Sequence, residues 1–236
     1  MKQVLLFLLL LITTSSLAQS PSLTAPLEQD IEVEFKTTMG DFRVRLFRDT
    51  PIHSRHFAQL VREGYYEGLL FHRVIRNFMI QAGDSTSRHA QPGQMLGEAD
   101  RSYTLAPEFR TPTHYHRRGA LAAARESDDV NPGRRSSATQ FYVVWGKRWT
   151  PNELANVREH VDAETGENGL ITDNMALDYY TRGGSPHLDG QYTVFGEVLT
   201  GLDVIEKIQG VNTDRNDRPR VDVRIISARI LNPTQP

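Results

Sequence analysis

Residues 71–84 read FHRVIRNFMIQAGD. Phe71, Val74, Ile75, Phe78, Met79 and Ile80 have the apolar density of buried strands, yet Arg73 stands among them and no carboxylate follows it until Asp84. An arginine in such company is commonly a strand residue that lays its aliphatic stem on apolar surface and keeps its guanidinium in water. The other explanation is that a permanent positive charge is wanted beside apolar walls. The rest of the chain decides between them.

Working outward, residues 31–37 (IEVEFKT) and 41–47 (DFRVRLF) alternate apolar and polar side chains around the turn residues Met39, Gly40 and Asp41, which predicts a hairpin. From Pro51 the period lengthens: Ile52, His56, Phe57, Leu60 and Val61 share one helical face, and Gly64 stands where a C-terminal cap belongs. Strand-like runs return at 71–75, 78–83, 119–124, 140–145, 193–199 and 223–231, and a second helix is expected at 202–209 through Leu202, Ile205 and Ile208. Many strands and two helices predict a mainly β fold, a closed antiparallel barrel with covered ends, in one domain over 31–232.

The first residues stand apart. Lys2, the apolar run 4–12 and the small residues Ser16 and Ala18 have the layout of a secretory signal peptide over 1–18, too short to span a bilayer. Residues 19–30 (QSPSLTAPLEQD) are expected to be a flexible lead-in. There is no cysteine, which excludes a disulfide scaffold and suits an exported, periplasmic protein. Beyond the leader 26 basic residues face 29 acidic ones, so no broad electrostatic footprint for nucleic acid exists, and no second apolar run suggests a membrane span.

The segment 146–187 holds seven acidic and four basic residues, which accounts for the whole acidic excess. Thr-Pro-Asn-Glu at 150–153 is a capping box ahead of a helix. This partly helical excursion between strands is expected to be a solvated insertion, with a partner or substrate surface as the other reading.

FHRVIRNFMIQAGD resembles the signature of the cyclophilin-type peptidyl-prolyl cis-trans isomerases in residue type at nearly every position. The likeness extends through TPIHSRHFAQLVREGYYEGLLFHRVI (50–75), RGALAAAR (118–125), SSATQFYVV (136–144) and HLDGQYTVFGEVLTGLDVIEKI (187–208). It implies a closed eight-stranded antiparallel barrel capped by two α-helices, and a cofactor-free, metal-free enzyme that turns Xaa-Pro bonds.

That reaction gives the cation a purpose. Resonance makes the prolyl C–N bond rotate over a barrier of about 18–20 kcal/mol. In the twisted state nitrogen becomes pyramidal and regains a lone pair, so a donor aimed at it binds the transition state better than either planar ground state. By resemblance Arg73 is the catalytic arginine and Gln81 helps to orient it. Phe78, Met79, Tyr142 and Leu188 match the proline pocket, Gln140 a polar residue of the groove, and Ala124 and Arg125 the strand along which the peptide lies.

Two departures fall on one side of the pocket: His187 replaces a frequent tryptophan and Tyr192 a frequent histidine. The first implies weak inhibition by cyclosporin, and Tyr142 in place of phenylalanine adds a polar tip that needs a partner if buried. The partners implied are proline-containing peptides and unfolded exported proteins, met by a monomer. A proline-peptide binding module or periplasmic chaperone with little turnover is the alternative function. Among the eight histidines, His53 with His56 and His114 with His116 have suggestive spacing but no third ligand, and read as surface histidines.

Overall fold

The structure is a computed structural model that describes residues 24–231. The leader at 1–18 and the first part of the lead-in lie outside the described residues. The described part of the lead-in is tied down: Leu27 packs on the core and its N–H donates to Arg48 O at 2.8 Å.

Two strands, β1 (Ile31–Thr37) and β2 (Gly40–Leu46), form the expected hairpin, with the turn at Thr38 and Met39 and Thr37 paired to Gly40. Gly40 has φ +126, a conformation that glycine alone adopts cheaply, so the turn closes earlier than the apolar pattern places it. Helix α1 (Pro51–Arg62) begins at a proline, and its free N–H groups at Ile52 and His53 donate to the Glu108 carboxylate at 3.1 and 3.0 Å. Its buried face carries His53, Phe57, Ala58, Leu60 and Val61, while Ile52 and His56 are only half-buried.

The remaining strands of the main sheet are β3 (Phe71–Ile75), β4 (Met79–Ala82), β6 (Ala120–Ala123), β8 (Phe141–Val144), β9 (Val194–Thr200) and β10 (Ile225–Ile230). Short strands β5 (Thr104–Leu105) and β7 (Ser136–Ser137) pair separately. The eight-stranded sheet is antiparallel throughout, in the order β10-β1-β2-β9-β6-β8-β4-β3. One face, with α1 and helix α4 (Leu202–Gln209), encloses the principal core around Phe35, Phe57, Tyr66, Phe141 and Ile205.

The expected closed barrel is corrected to a curled, open sheet. Its edge strands β3 and β10 are joined by no ladder, only by an isolated bridge between Leu70 and Arg224 and flanking bonds such as Gly68 N–H to Ile225 O at 2.8 Å. Beyond Phe71, β3 runs beside the irregular stretch 214–223 rather than beside β10. That stretch contains Pro219, which has no N–H to offer a ladder.

Four α-helices, not two, occur among the described residues. The additional pair, α2 (Pro151–Thr165) and α3 (Asp173–Thr181), lies in the 146–187 excursion. The capping box forms as the sequence indicates: the Glu153 carboxylate accepts from Thr150 N at 2.9 Å, and Thr150 Oγ1 accepts from Glu153 N at 3.3 Å. Leu154, Val161, Leu170, Ile171, Met175, Ala176 and Tyr179 form a small core of the excursion's own. No helix among the described residues is long and apolar enough to cross a membrane.

Candidate active site

Successive residues of a strand face opposite sides of the sheet. Ile80, Ala82, Leu121, Phe141 and Val143 therefore enter the principal core, while Met79, Ala122, Tyr142, Val144 and Val194 form a second apolar cluster on the other face. The pairing aligns a row across that face: Val194 opposite Ala122, Ala122 opposite Tyr142, Tyr142 opposite Gln81, and Gln81 opposite Arg73. A register shift of one residue would turn Arg73 and Gln81 into the core.

On this face lies a cavity of about 260 Å³ lined by Arg73, Phe78, Met79, Gln81, Ala124, Arg125, Tyr142, Leu188 and Tyr192. Nine of the eleven site residues expected from sequence are thus assembled around one hollow. Arg73 is exposed between buried neighbours, with its side chain 46% accessible, so it stands at the rim with its head in reach of a bound peptide. Met79 and Tyr142 are buried in the wall, and Leu188 enters from a short 3-10 turn at Pro186–Leu188.

Two expected members sit elsewhere. Gln140 lines a neighbouring, more polar cavity of about 490 Å³, where it accepts from Gln81 Nε2 at 2.9 Å and donates to Gly97 O at 2.8 Å. It thereby holds Gln81 rather than lining the first cavity. His187 stands behind the wall, its ring 5.4 Å from that of Phe78 and 6.5 Å from that of Trp149, and burial lowers its pKa below the ordinary histidine value. It is spaced from the cavity because the 3-10 turn points Leu188 inward and turns the preceding residue toward the excursion.

Ala124 and Arg125 follow the end of β6 instead of lying in a strand. Ala124 N–H still donates to Gln140 O at 3.0 Å, in register with the β6–β8 pairing, while its carbonyl accepts from Ser137 N at 2.8 Å. The Arg125 side chain forms part of the wall. It is 4% accessible, donates from Nε to Gln191 O at 2.9 Å, and lays its guanidinium 4.3 Å from the Tyr192 ring centre.

The carboxylate nearest Arg73 was not legible in the sequence. Asp84 is fully buried and caps the 3-10 turn Ser85–His89 through Thr86 N at 2.7 Å, whereas Asp217, more than a hundred positions away, lies 3.6 Å from Arg73 Nε. Nor are all the paired histidines superficial: His53 is buried against Glu108 at 2.7 Å, and His116 is buried against Asp189 at 2.9 Å. His116 Nε2 also meets the Tyr142 hydroxyl at 2.9 Å, the partner that a buried tyrosine tip requires.

Comparison with known proteins agrees with this geometry. The family model described as cyclophilin type peptidyl-prolyl cis-trans isomerase/CLD matches residues 32–230. A Staphylococcus haemolyticus protein provisionally named a peptidyl-prolyl cis-trans isomerase is 33% identical over 201 residues, covering 85% of this chain and 91% of its own. A Staphylococcus aureus protein with the same provisional name is 32% identical over 213 residues, covering 89% and 98%. A Streptococcus pyogenes protein provisionally named a bifunctional phosphatase/peptidyl-prolyl cis-trans isomerase is 33% identical over 218 residues, and the chain spans 41% of its length. Among solved structures, a Cryptosporidium parvum cyclophilin type peptidyl-prolyl cis-trans isomerase has the same fold, with a TM-score of 0.60 at 20% identity over 87% of this chain and 99% of that one. The same parvum protein has also been solved in the presence of the dipeptide Ala-Pro, with a TM-score of 0.59 to this chain. With its matched span running through nearly all the described residues and its two staphylococcal relatives aligned almost end to end, the chain belongs to the cyclophilin-type peptidyl-prolyl cis-trans isomerase family.

Proposed function

We propose that the protein accelerates cis-trans rotation about Xaa-Pro bonds in exported proteins, with no covalent intermediate. The observation that carries this reading is the placing of Arg73 at the rim of a cavity of about 260 Å³ that Phe78, Met79, Tyr142 and Leu188 help to wall. A planar prolyl amide offers no nitrogen lone pair. As the bond twists, the pair reappears, and an N–H of Arg73 donates to it. The guanidinium stays protonated throughout, so the step needs no proton transfer. Gln81, held by Gln140, faces the same space and hydrogen-bonds the substrate main chain. Export to the periplasm is supported by the apolar leader-like run at 4–12 and the absence of cysteine.

The test follows cis-to-trans conversion of a tetrapeptide with an internal Ala-Pro bond. Arg73→Ala is expected to lower kcat/KM by about 10²–10³-fold, the scale of losing one transition-state donor, with peptide binding weakened only a few-fold. Equal turnover by the two proteins would sink the isomerase reading and leave a proline-peptide binding module.

A further inference from the structure

The hydroxyl of Tyr142 ends a chain of buried polar contacts that begins in the excursion. Tyr179, on α3 and fully buried, donates from its hydroxyl to Oδ2 of Asp189. The other oxygen of Asp189 accepts from His116 N at 2.8 Å and faces His116 Nδ1 at 2.9 Å. With a carboxylate opposite it, Nδ1 carries a proton, and Nε2 at the other side of the ring is the hydrogen-bond partner of the Tyr142 hydroxyl at 2.9 Å. Asp189 and His116 are both wholly inaccessible, and Tyr142 lines the hollow.

The backbone repeats the connection. Where the excursion returns, Ser185 N–H donates to His116 O at 2.8 Å and Arg118 N–H donates to Gly183 O at 2.9 Å. A Cβ on Gly184 would lie 2.4 Å from His116 O and 2.6 Å from the Tyr179 ring, so the two segments are in direct contact.

We infer that the excursion is a positioning element of the proline pocket, acting from Tyr179 through Asp189 and His116 to fix the Tyr142 ring in the cavity wall. A buried carboxylate that loses one of its donors keeps an unsatisfied oxygen, and the cheapest relief is rotation of the carboxyl group or a shift of His116. Either movement withdraws the hydrogen-bond partner from Tyr142. The ring then loses its single orientation, and ordering it again on peptide binding weakens affinity while the bond-twisting donor, Arg73, is untouched.

The inference rests on the isomerase reading for its kinetic measurements alone. Tyr179→Phe keeps the ring in the small core and leaves Asp189 its bonds to His116, so the fold is expected to survive, which thermal melts check. The expected result is a rise of about fivefold in both KM and the Kd of the Ala-Pro tetrapeptide, with kcat changed less than about twofold. In a Tyr142→Phe background the same substitution is expected to have no further effect on Kd. Tyr115→Phe, which removes a hydroxyl bonded to Asp178 on the same helix while keeping the ring that packs against Tyr179, is expected to leave Kd unchanged. An unchanged Kd in Tyr179→Phe, or an equal added loss in the Tyr142→Phe background, overturns the inference. Should Tyr179→Phe melt in the assay, the cycle is run on His116→Gln with Tyr142→Phe, where additive losses of Kd have the same force. Wild-type protein that binds the peptide without turning it over would sink the isomerase reading instead, leaving the Kd cycle intact.

Discussion

At the scale of single residues, the question is what holds Arg73 in place. Its ion pair with Asp217 is 3.6 Å long, and both side chains are more than 40% accessible, so solvent screens it and it contributes at most about 1 kcal/mol. The stronger restraint is the β3–β4 register that sets Arg73 opposite Gln81. Asp217→Asn is therefore expected to change kcat/KM by less than about threefold, measured with the Ala-Pro tetrapeptide. A loss comparable to that of Arg73→Ala would make Asp217 an essential orienting group. Arg73 was conspicuous in the sequence as a cation inside an apolar strand, a pattern that alone fits a solvated arginine, and its role was legible through the resemblance of residues 71–84 to the cyclophilin-type signature. Asp217 was not, since its loop meets β3 through a backbone bond, Val74 N–H to Asp217 O at 2.8 Å, that no local pattern announces.

At the scale of elements, the strand carrying the site is shaped by a glycine at its end. Gly83 follows β4 with φ +113, and a Cβ there would lie 2.2 Å from Thr139 O and 2.6 Å from Gln140 Cα. No flexible side chain can move aside to relieve that overlap, because both atoms belong to the backbone. Gly83→Ala is expected to destabilise the protein by about 3 kcal/mol or more, read as a lower urea midpoint, through combined strain and displacement of the 139–140 segment. Since Gln140 holds Gln81, kcat/KM should fall as well in whatever fraction stays folded. A variant as stable as the parent would mean that 139–140 yields freely. Helix α2 was legible from its capping box, whereas α3 has short apolar spacing that becomes a helix through Thr172 capping and burial of Met175, Ala176 and Tyr179.

At the scale of the whole molecule, the core reaches histidines that composition would leave on the surface. His72 is 3% accessible with neither ring nitrogen hydrogen-bonded among the described residues, and desolvation pulls its pKa from 6.5 down to about 4, against the opposing pull of Asp84. Between those two values the unfolded chain binds more protons than the folded one, so stability falls as pH drops through this window and is unaffected above it. From about pH 7 to about pH 5 this group alone should remove about 2 kcal/mol, and urea unfolding of His72→Gln should lack that part of the loss. An identical pH dependence in the two proteins would place the acid lability elsewhere. By itself the sequence determined the hairpin and the two capping helices, because alternation and caps are local properties of the chain, while the family and the residues of the hollow came from the likeness of residues 71–84 and their flanking segments to the cyclophilin-type signature. Tertiary structure alone decided that the sheet stays open between β3 and β10, that Gln140 and His187 stand outside the hollow, and that Tyr179, Asp189 and His116 connect the excursion to Tyr142. These are matters of which distant segments meet, and burial makes each meeting polar only where both partners arrive together.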